Sequence, residues 1–189
     1  MGNDRRQKEL RRAKRKMREA AKKAKPRECG GCTACCTALL IPEVPTLAGE
    51  HCRHECAEGC AVYATRPGRC RGFECAWIGG WGAKGSDRPD RIGWFGFIDR
   101  YPELNVAAGG GSRQGTVIVV RETRQGALQE PRFAEALGDW MRRGSAVLVQ
   151  GRDEEGKQVV TLYGPKIPKG VSMSRDEMER NATAPSRSG

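Results

Sequence analysis

The chain has 189 residues, of which 38% are hydrophobic, 6% are aromatic and 30% are charged. This length suits one domain with a core of its own, and the low apolar content indicates that part of the chain stays outside that core. The formal net charge is +11. No run of apolar residues approaches the ~18 that a membrane span needs, and the charged N-terminal run is not followed by the hydrophobic region of a secretory signal. A cytoplasmic protein is therefore expected.

The first predicted element is a strongly basic helix at the N-terminus. Residues 4–27 include 13 Lys or Arg and three acids, a local net charge of +10 that nearly equals the charge of the whole chain. The segment consists of strong helix formers, and Pro26 ends the helix before the first cysteine. Because such a segment attracts phosphate groups and other polyanions, nucleic acid is a candidate partner of residues 4–27.

The next segment, residues 29–75, contains all nine cysteines of the chain. It has few large aliphatic side chains, so a cross-link has to replace a hydrophobic core. Cys29 and Cys32 have the Cys-x2-Cys spacing that lets two thiolates meet one ion across a turn, and the two glycines between them allow positive φ angles. Cys35 and Cys36 are adjacent, so we expect their side chains to point apart, which indicates two metal sites or one polynuclear cluster.

Thiolate-rich sites favour zinc, or iron in clusters, over magnesium or calcium. In a reducing cytosol the thiols stay free to bind metal, and a disulfide framework is the weaker alternative. The residue types leave zinc, iron and an iron–sulfur cluster open. Eight of the nine cysteines are the predicted metal ligands: Cys29, Cys32, Cys35, Cys36, Cys52, Cys60, Cys70 and Cys75.

The stretches "CGGCTACC" and "GCAVYATRPGRCRGFECAWI", with Cys52 between them, resemble the CxxCxxCC cysteine-cluster family of the YkgJ type over residues 29–78. The family pattern Cys-x-x-Tyr-x-x-Arg-Pro-x-x-Cys-Arg is met from Cys60 to Arg71. That family is described as a zinc- or iron-chelating domain, so the resemblance implies metal binding by the cysteines and brings no settled reaction. Three cysteines stand where the family has two, and Cys56 is the predicted spare.

Histidine and arginine side chains lie among these cysteines. His51 and His54 flank Cys52, and because thiols are plentiful we interpret them as exposed or hydrogen-bonded neighbours, with metal ligation as the weaker alternative. Arg66 and Arg71 would offset the excess negative charge of the thiolates and donate hydrogen bonds to sulfur. Two solvated surface arginines are an equally good interpretation.

The part of the chain after the cysteines has the patterns of strands and one helix. "RIGWFGFI" and "GTVIVVRET" are typical of strands, "EPRFAEALGDWMRRG" of a helix, and "SAVLVQ" and "KQVVTLY" of a hairpin around "GRDEEG". The aromatic residues are interpreted as core, with a platform for stacking nucleic-acid bases as the alternative. These residues are Trp77, Trp81, Trp94, Phe95 and Phe97.

The predicted organisation is a basic helical tail over residues 1–27, a single domain over 28–168 and a disordered tail over 169–189. Within the domain, a metal-stabilised cysteine module at 28–78 packs on a small, mainly antiparallel sheet with one helix at 79–168. The predicted fold class is therefore α+β.

The sequence predicts no catalytic constellation. Both histidines flank a predicted ligand, no Ser or Cys has a recognisable nucleophile motif, and the only Gly-Gly-Gly run lacks the Lys-Ser/Thr of a phosphate loop. The leading hypothesis is a metal-binding protein in which zinc or iron chiefly folds the cysteine module. The alternatives are a nucleic-acid-binding module that uses the basic helix and an iron–sulfur enzyme or electron carrier.

Overall fold

The computed structural model describes residues 27–39, 41, 43–44, 51–83, 85–153 and 155–173. The predicted basic helix and the part of the chain after residue 173 lie outside the described residues. Within them the chain is α+β, as predicted, with a mixed five-stranded sheet and several helices.

The cysteine-rich segment consists of short elements. Helix α1 spans Ala34–Ala38, and the strands β1 (Glu55–Cys56) and β2 (Gly59–Cys60) pair as an antiparallel hairpin. A 3-10 turn at Tyr63–Thr65 and helix α2 at Gly68–Gly72 follow. Because isolated helices shorter than about 12 residues are marginal in water, these elements depend on contacts outside themselves.

The larger part of the fold is a sheet with strand order β3-β4-β5-β6-β7. Its strands are β3 (Trp94–Arg100), β4 (Thr116–Glu122), β5 (Val147–Arg152), β6 (Gln158–Gly164) and β7 (Ile167–Met173). Strands β4 and β5 are parallel and are connected through helix α5 (Pro131–Arg142), whereas the other neighbouring pairs are antiparallel. In the described part of the chain, no helix is long and apolar enough to cross a lipid bilayer.

The four strands and the long helix that the sequence predicted after the cysteines are confirmed, and β5 and β6 form the expected hairpin. After the cysteines, the sequence did not predict strand β7, the short helices α3 (Pro89–Ile92) and α4 (Pro102–Ala107), or the 3-10 turn at Ala127–Gln129. The sequence placed residues 169–173 in a disordered tail, and they instead lie in β7. Pairing with β6 stabilises this strand, whose own sequence contains Pro and Gly.

The core lies on both faces of the sheet. Side chains alternate between the faces along a strand, so Val117 and Val119 belong to one apolar cluster while Val120 belongs to the other. Helix α5 covers the cluster that contains Val120. In this cluster Trp94 is only 1% exposed, and the centroid of its ring lies 5.5 Å from that of Phe133. Trp77, Trp94 and Phe95 are therefore buried, as interpreted from the sequence, whereas Trp81 and Phe97 are partly buried and pack against the core.

The cysteine-rich segment packs against the edge strand β3. Cys75 forms an isolated antiparallel bridge with Phe97. The ring of Phe73 packs edge-on against Phe95 and Phe97, with centroids 6.0 and 5.3 Å apart. The last cysteine of the chain is thus held by the sheet, whereas the others lie on the short elements and turns before it.

Candidate metal centre

Two adjoining cavities of about 70 and about 50 Å³ lie within the cysteine-rich segment. The first is lined by seven cysteines: Cys29, Cys32, Cys35, Cys36, Cys52, Cys60 and Cys70. The second is lined by five: Cys29, Cys32, Cys35, Cys70 and Cys75. Four thiols are common to both linings, and each of the eight predicted ligands lines at least one cavity.

Cys56, the predicted spare, lines neither cavity. Its side chain is exposed, whereas the other eight cysteines are partly buried. It follows Glu55 in strand β1, and Glu55 is only 19% exposed. Because successive strand residues point to opposite faces, the inward position of Glu55 directs Cys56 outward.

The turn between the first two cysteines packs against the β1-β2 hairpin. It is closed by a hydrogen bond of 3.0 Å from the Cys32 N–H to the Cys29 carbonyl, and Gly30 has φ +54°. Gly59 of the hairpin has φ +121°, and a Cβ atom there would lie 2.5 Å from the Gly30 carbonyl oxygen. The two backbones therefore meet without room for a side chain, which brings Cys60 to the cavity.

Main-chain N–H groups are directed at two of the cysteine sulfurs. Burial raises the pKa of the Cys75 thiol, and hydrogen bonds from the Trp77 and Ile78 N–H groups oppose this effect. Burial likewise raises the pKa of Cys32 to about 11, against the opposing effect of two main-chain N–H groups. Such bonds favour the thiolate, which is the form that binds metal.

The thiols of the adjacent residues Cys35 and Cys36 hydrogen-bond to each other. This bond raises the pKa of Cys35 and lowers that of Cys36. The expectation that the two side chains point apart is therefore corrected. Both residues lie in helix α1, where successive side chains are rotated by about 100° rather than by the half-turn of a strand.

Arg66 is the cation nearest the thiols among the two that the sequence singled out. It lines both cavities, its Nε donates to the Tyr63 carbonyl at 2.9 Å, and its guanidinium carbon lies 3.6 Å from the centre of the Tyr63 ring. Its charge interacts with the thiols of Cys36 and Cys70. Arg71 is exposed, so Arg66 is the one of the two arginines that lies beside the thiols.

The two histidines have different environments. The His51 side chain is 79% exposed, and its Nδ1 atom lies 2.8 Å from Oε2 of Glu55. His54 lines the first cavity. The interpretation of an exposed, hydrogen-bonded neighbour therefore fits His51, and His54 is a neighbour of the thiols.

Sequence reasoning missed two residues beside Cys32. Arg88 donates through Nε and Nη2 to the two carboxylate oxygens of Asp90, both at 2.7 Å. Asp90 hydrogen-bonds to Cys32 through its main chain and its side chain. No spacing pattern connects these residues with a cysteine that lies more than fifty positions earlier, so only the tertiary structure reveals them.

Arg27, which the sequence assigned to the basic tail, is directed into the fold. Its guanidinium donates to the carbonyl oxygens of Trp77 at 2.9 Å, Trp81 at 2.6 Å and Gly82 at 2.8 Å. It also lies over the Trp77 ring, 5.2 Å from the centroid. The Arg27 guanidinium is therefore hydrogen-bonded within the fold. The nucleic-acid hypothesis rests on residues 4–25, which lie outside the described residues.

Among the described residues, no group of three or more Cys, His, Asp or Glu side chains has the arrangement of a formed metal site. No family model, curated protein or solved structure matches the chain. The resemblance to the CxxCxxCC family therefore stays a prediction from its motif.

Proposed function

We propose that this protein binds zinc or iron through eight cysteines, and that the metal chiefly holds the cysteine-rich segment together. The observation that carries the proposal is the lining of the two cavities: the eight predicted ligands surround them, and the ninth cysteine faces solvent. With volumes of about 70 and 50 Å³, they are far smaller than the several hundred Å³ of a typical organic-ligand pocket. Their size suits ions.

The chemistry of the lining fits this role. Thiolates are preferred donors for zinc and for iron–sulfur clusters. Burial raises the pKa of Cys32, Cys70 and Cys75, and the N–H groups directed at Cys32 and Cys75 and the guanidinium of Arg66 act against this rise in favour of the deprotonated sulfurs. Since no ligand group is already formed in the described residues, binding has to draw the thiols inward, and each thiol releases its proton as it binds.

The energetics of the segment support a structural role for the metal. Among the described residues of 28–78, the buried apolar side chains are Ala34, Val44 and Trp77, and the helices have five residues each. Fixing the backbone costs about 1–2 kcal/mol of conformational entropy per residue. Burial of this small apolar area offsets little of that cost. Metal binding supplies the missing free energy, because binding and folding are then one equilibrium.

The test is metal analysis of the full chain purified without oxygen in a reducing buffer. We expect the protein to contain bound metal. A thiol reagent should modify Cys56 before the metal is removed by a chelator, and the other eight thiols only afterwards. A colourless zinc protein and a brown iron–sulfur protein are distinguished by absorption, and the brown form favours the electron-carrier alternative. A metal-free protein with nine freely reactive thiols overturns the proposal.

A further inference from the structure

We infer that a groove beside helix α5 is the docking site of residues 4–25 of the same chain, which we name the basic segment. The basic segment lies outside the described residues. The lining of the groove, the point at which the described chain begins and the sequence of the segment support this placement. None of these three observations depends on the proposed metal binding.

The groove has a volume of about 1030 Å³ and lies between helix α5, strand β3 and the loop at 79–82. Its apolar lining includes Trp81, Ile98 and Ile118. Ile98 is paired with Ile118 in the register of β3 and β4, on the same face of the sheet as Trp94, which α5 covers. Ile98 is nevertheless 72% exposed. Helix α5 therefore leaves this end of the face uncovered, where a sheet normally packs against a further element.

The charges around the groove suit a basic occupant. Each arginine of the lining is paired with a carboxylate: Arg132 with Asp87 and Glu135, and Arg142 and Arg143 with Asp139. Glu74 also lines the groove, is exposed, and has no ion-pair partner among the described residues. Its carboxylate is therefore free to attract a cation, and the basic segment contains 12 Lys or Arg against three acids.

The described chain begins at the wall of this groove. The Arg27 guanidinium donates to the carbonyl oxygens of Trp81 at 2.6 Å and Gly82 at 2.8 Å, and both of these residues line the groove. Pro26, which ends the predicted basic helix, directly precedes Arg27. The basic segment is therefore tethered beside the groove without a linker, and such a tether gives even weak contacts a high effective concentration.

The sequence of the basic segment has an apolar stripe that suits the uncovered face. At about 100° per residue, the apolar residues between positions 10 and 24 of a helix fall within an arc of about 100°, and no charged residue of that stretch falls inside the arc. The stripe consists of Leu10, Ala13, Met17, Ala20, Ala21 and Ala24. The small alanines let a helix backbone approach the sheet closely, and the two larger side chains are long enough to cover the isoleucine pair.

The test places a photo-cross-linking amino acid, p-benzoylphenylalanine, at position 98 of the full chain. Position 106 is the matched control, because Val106 is 69% exposed against 72% for Ile98 and does not line the groove. We expect irradiation to link position 98 to the basic segment, and position 106 to no part of it. A mixture of isotope-labelled and unlabelled chains identifies the linked partner by mass. Links within one chain support the inference, whereas links to a second chain, or none to the basic segment, overturn it.

Hydrogen exchange of the full chain is a second test that needs no cross-linker. We expect the amides of residues 10–24 to exchange about tenfold more slowly in the wild type than in Ile98→Asp, the protection that a docking free energy of about 1.4 kcal/mol confers. Val106→Asp should retain the wild-type rate. Met17→Gln alters the stripe and should lose the protection, whereas Arg15→Gln lies outside the stripe and should keep it, since all three residue types have similar helix propensities. Equal exchange in the wild type, Ile98→Asp and Met17→Gln, or an equal loss in each control, overturns the inference.

Discussion

Asp87 is a buried carboxylate in the loop between the cysteine-rich segment and the sheet. It is 3% exposed and accepts hydrogen bonds from Arg132 Nε at 2.8 Å, Arg132 Nη2 at 2.6 Å and the Ala83 N–H at 2.5 Å. A bidentate pair of this kind is geometrically specific and stronger than a neutral hydrogen bond. It fixes this loop to helix α5.

Replacing Asp87 is predicted to destabilise the protein. Asp87→Ala removes the acceptor of three hydrogen bonds, and because Arg132 is 38% exposed water solvates the released guanidinium, so we expect a loss of about 1–2 kcal/mol. Glu135 pairs with the same Arg132 but is 66% exposed, so Glu135→Ala is the matched control and should cost under about 0.5 kcal/mol. Urea unfolding measures both, and equal losses contradict the prediction.

The same ion pair predicts a pH dependence of stability. Hydrogen bonds from Arg132 hold the pKa of Asp87 below its ordinary value of 3.8. The stabilisation is therefore complete above that value and is lost as the pH falls below it towards the lower pKa of the folded state. The difference in unfolding free energy between wild type and Asp87→Asn should stay constant near neutral pH and shrink below about pH 4. A constant difference throughout the acidic range contradicts this expectation.

At the scale of elements, the cysteine-rich segment depends on close packing between pieces that have little structure of their own. The hairpin β1-β2 meets the CGGC turn at Gly59, and Arg27 joins the start of the described chain to the loop that follows Cys75. Both contacts position cysteines that lie far apart in sequence.

Gly59→Ala is predicted to separate the hairpin from the CGGC turn. A Cβ atom there would lie 2.5 Å from the Gly30 carbonyl oxygen, and the φ of +121° is strained for any residue with a side chain. We expect a stability loss of roughly 1–3 kcal/mol and weaker metal retention in competition with a chelator. Gly68→Ala is the control, because nothing lies within 4 Å of its Cβ position. Equal metal retention in the two variants contradicts the prediction.

Arg27→Ala is predicted to loosen the loop after Cys75. The change removes the guanidinium that donates to the carbonyls of Trp77, Trp81 and Gly82, and these acceptors are left to water. We expect a loss of about 1–3 kcal/mol and faster release of metal to a chelator. Arg27→Lys should retain only part of the wild-type stability, since an ammonium group lacks the planar fork of donors of a guanidinium. Replacing the exposed Arg71 by Ala is the control. Release of metal by Arg27→Ala at the wild-type rate contradicts the predicted role of Arg27.

At the scale of the whole molecule, the two parts of the fold differ in how much apolar surface they bury. The sheet has fully buried side chains on both faces, including Val119 at 1% exposure on one face and Val120 at 0% on the other. The cysteine-rich segment has few buried apolar residues and eight thiols around two cavities. Removal of metal should therefore affect the two parts unequally.

Chelation is predicted to unfold residues 28–78 while strands β4 and β5 stay folded. If the metal has the proposed structural role, the first part loses the binding free energy of the metal, whereas the second retains its apolar core. Hydrogen exchange of the full chain with and without chelator measures this, with loss of amide protection expected in α1, the hairpin and α2. If chelation leaves the amide protection of those elements unchanged, a structural role for the metal is contradicted.

By itself, the sequence determined the features that depend on neighbouring residues. Periodicity predicted helix α5 and strands β3 to β6, and the burial of Trp94 and Phe95 followed from their position in a strand. The spacing of the cysteines predicted a cluster, and comparison with the pattern of the resembled CxxCxxCC family singled out Cys56, which the structure places at the surface. The helix and strands were predictable because the hydrophobic period is a local property of the chain.

Only the tertiary structure decided the rest. Strand β7 depends on pairing with β6, and its own sequence has no clear strand pattern. Asp90 reaches Cys32, Arg27 reaches the Trp77 carbonyl, and Cys75 is bridged to Phe97 of strand β3. Contacts between residues dozens of positions apart follow from how the whole chain packs and which polar groups it has to pair, and that information is absent from any local pattern.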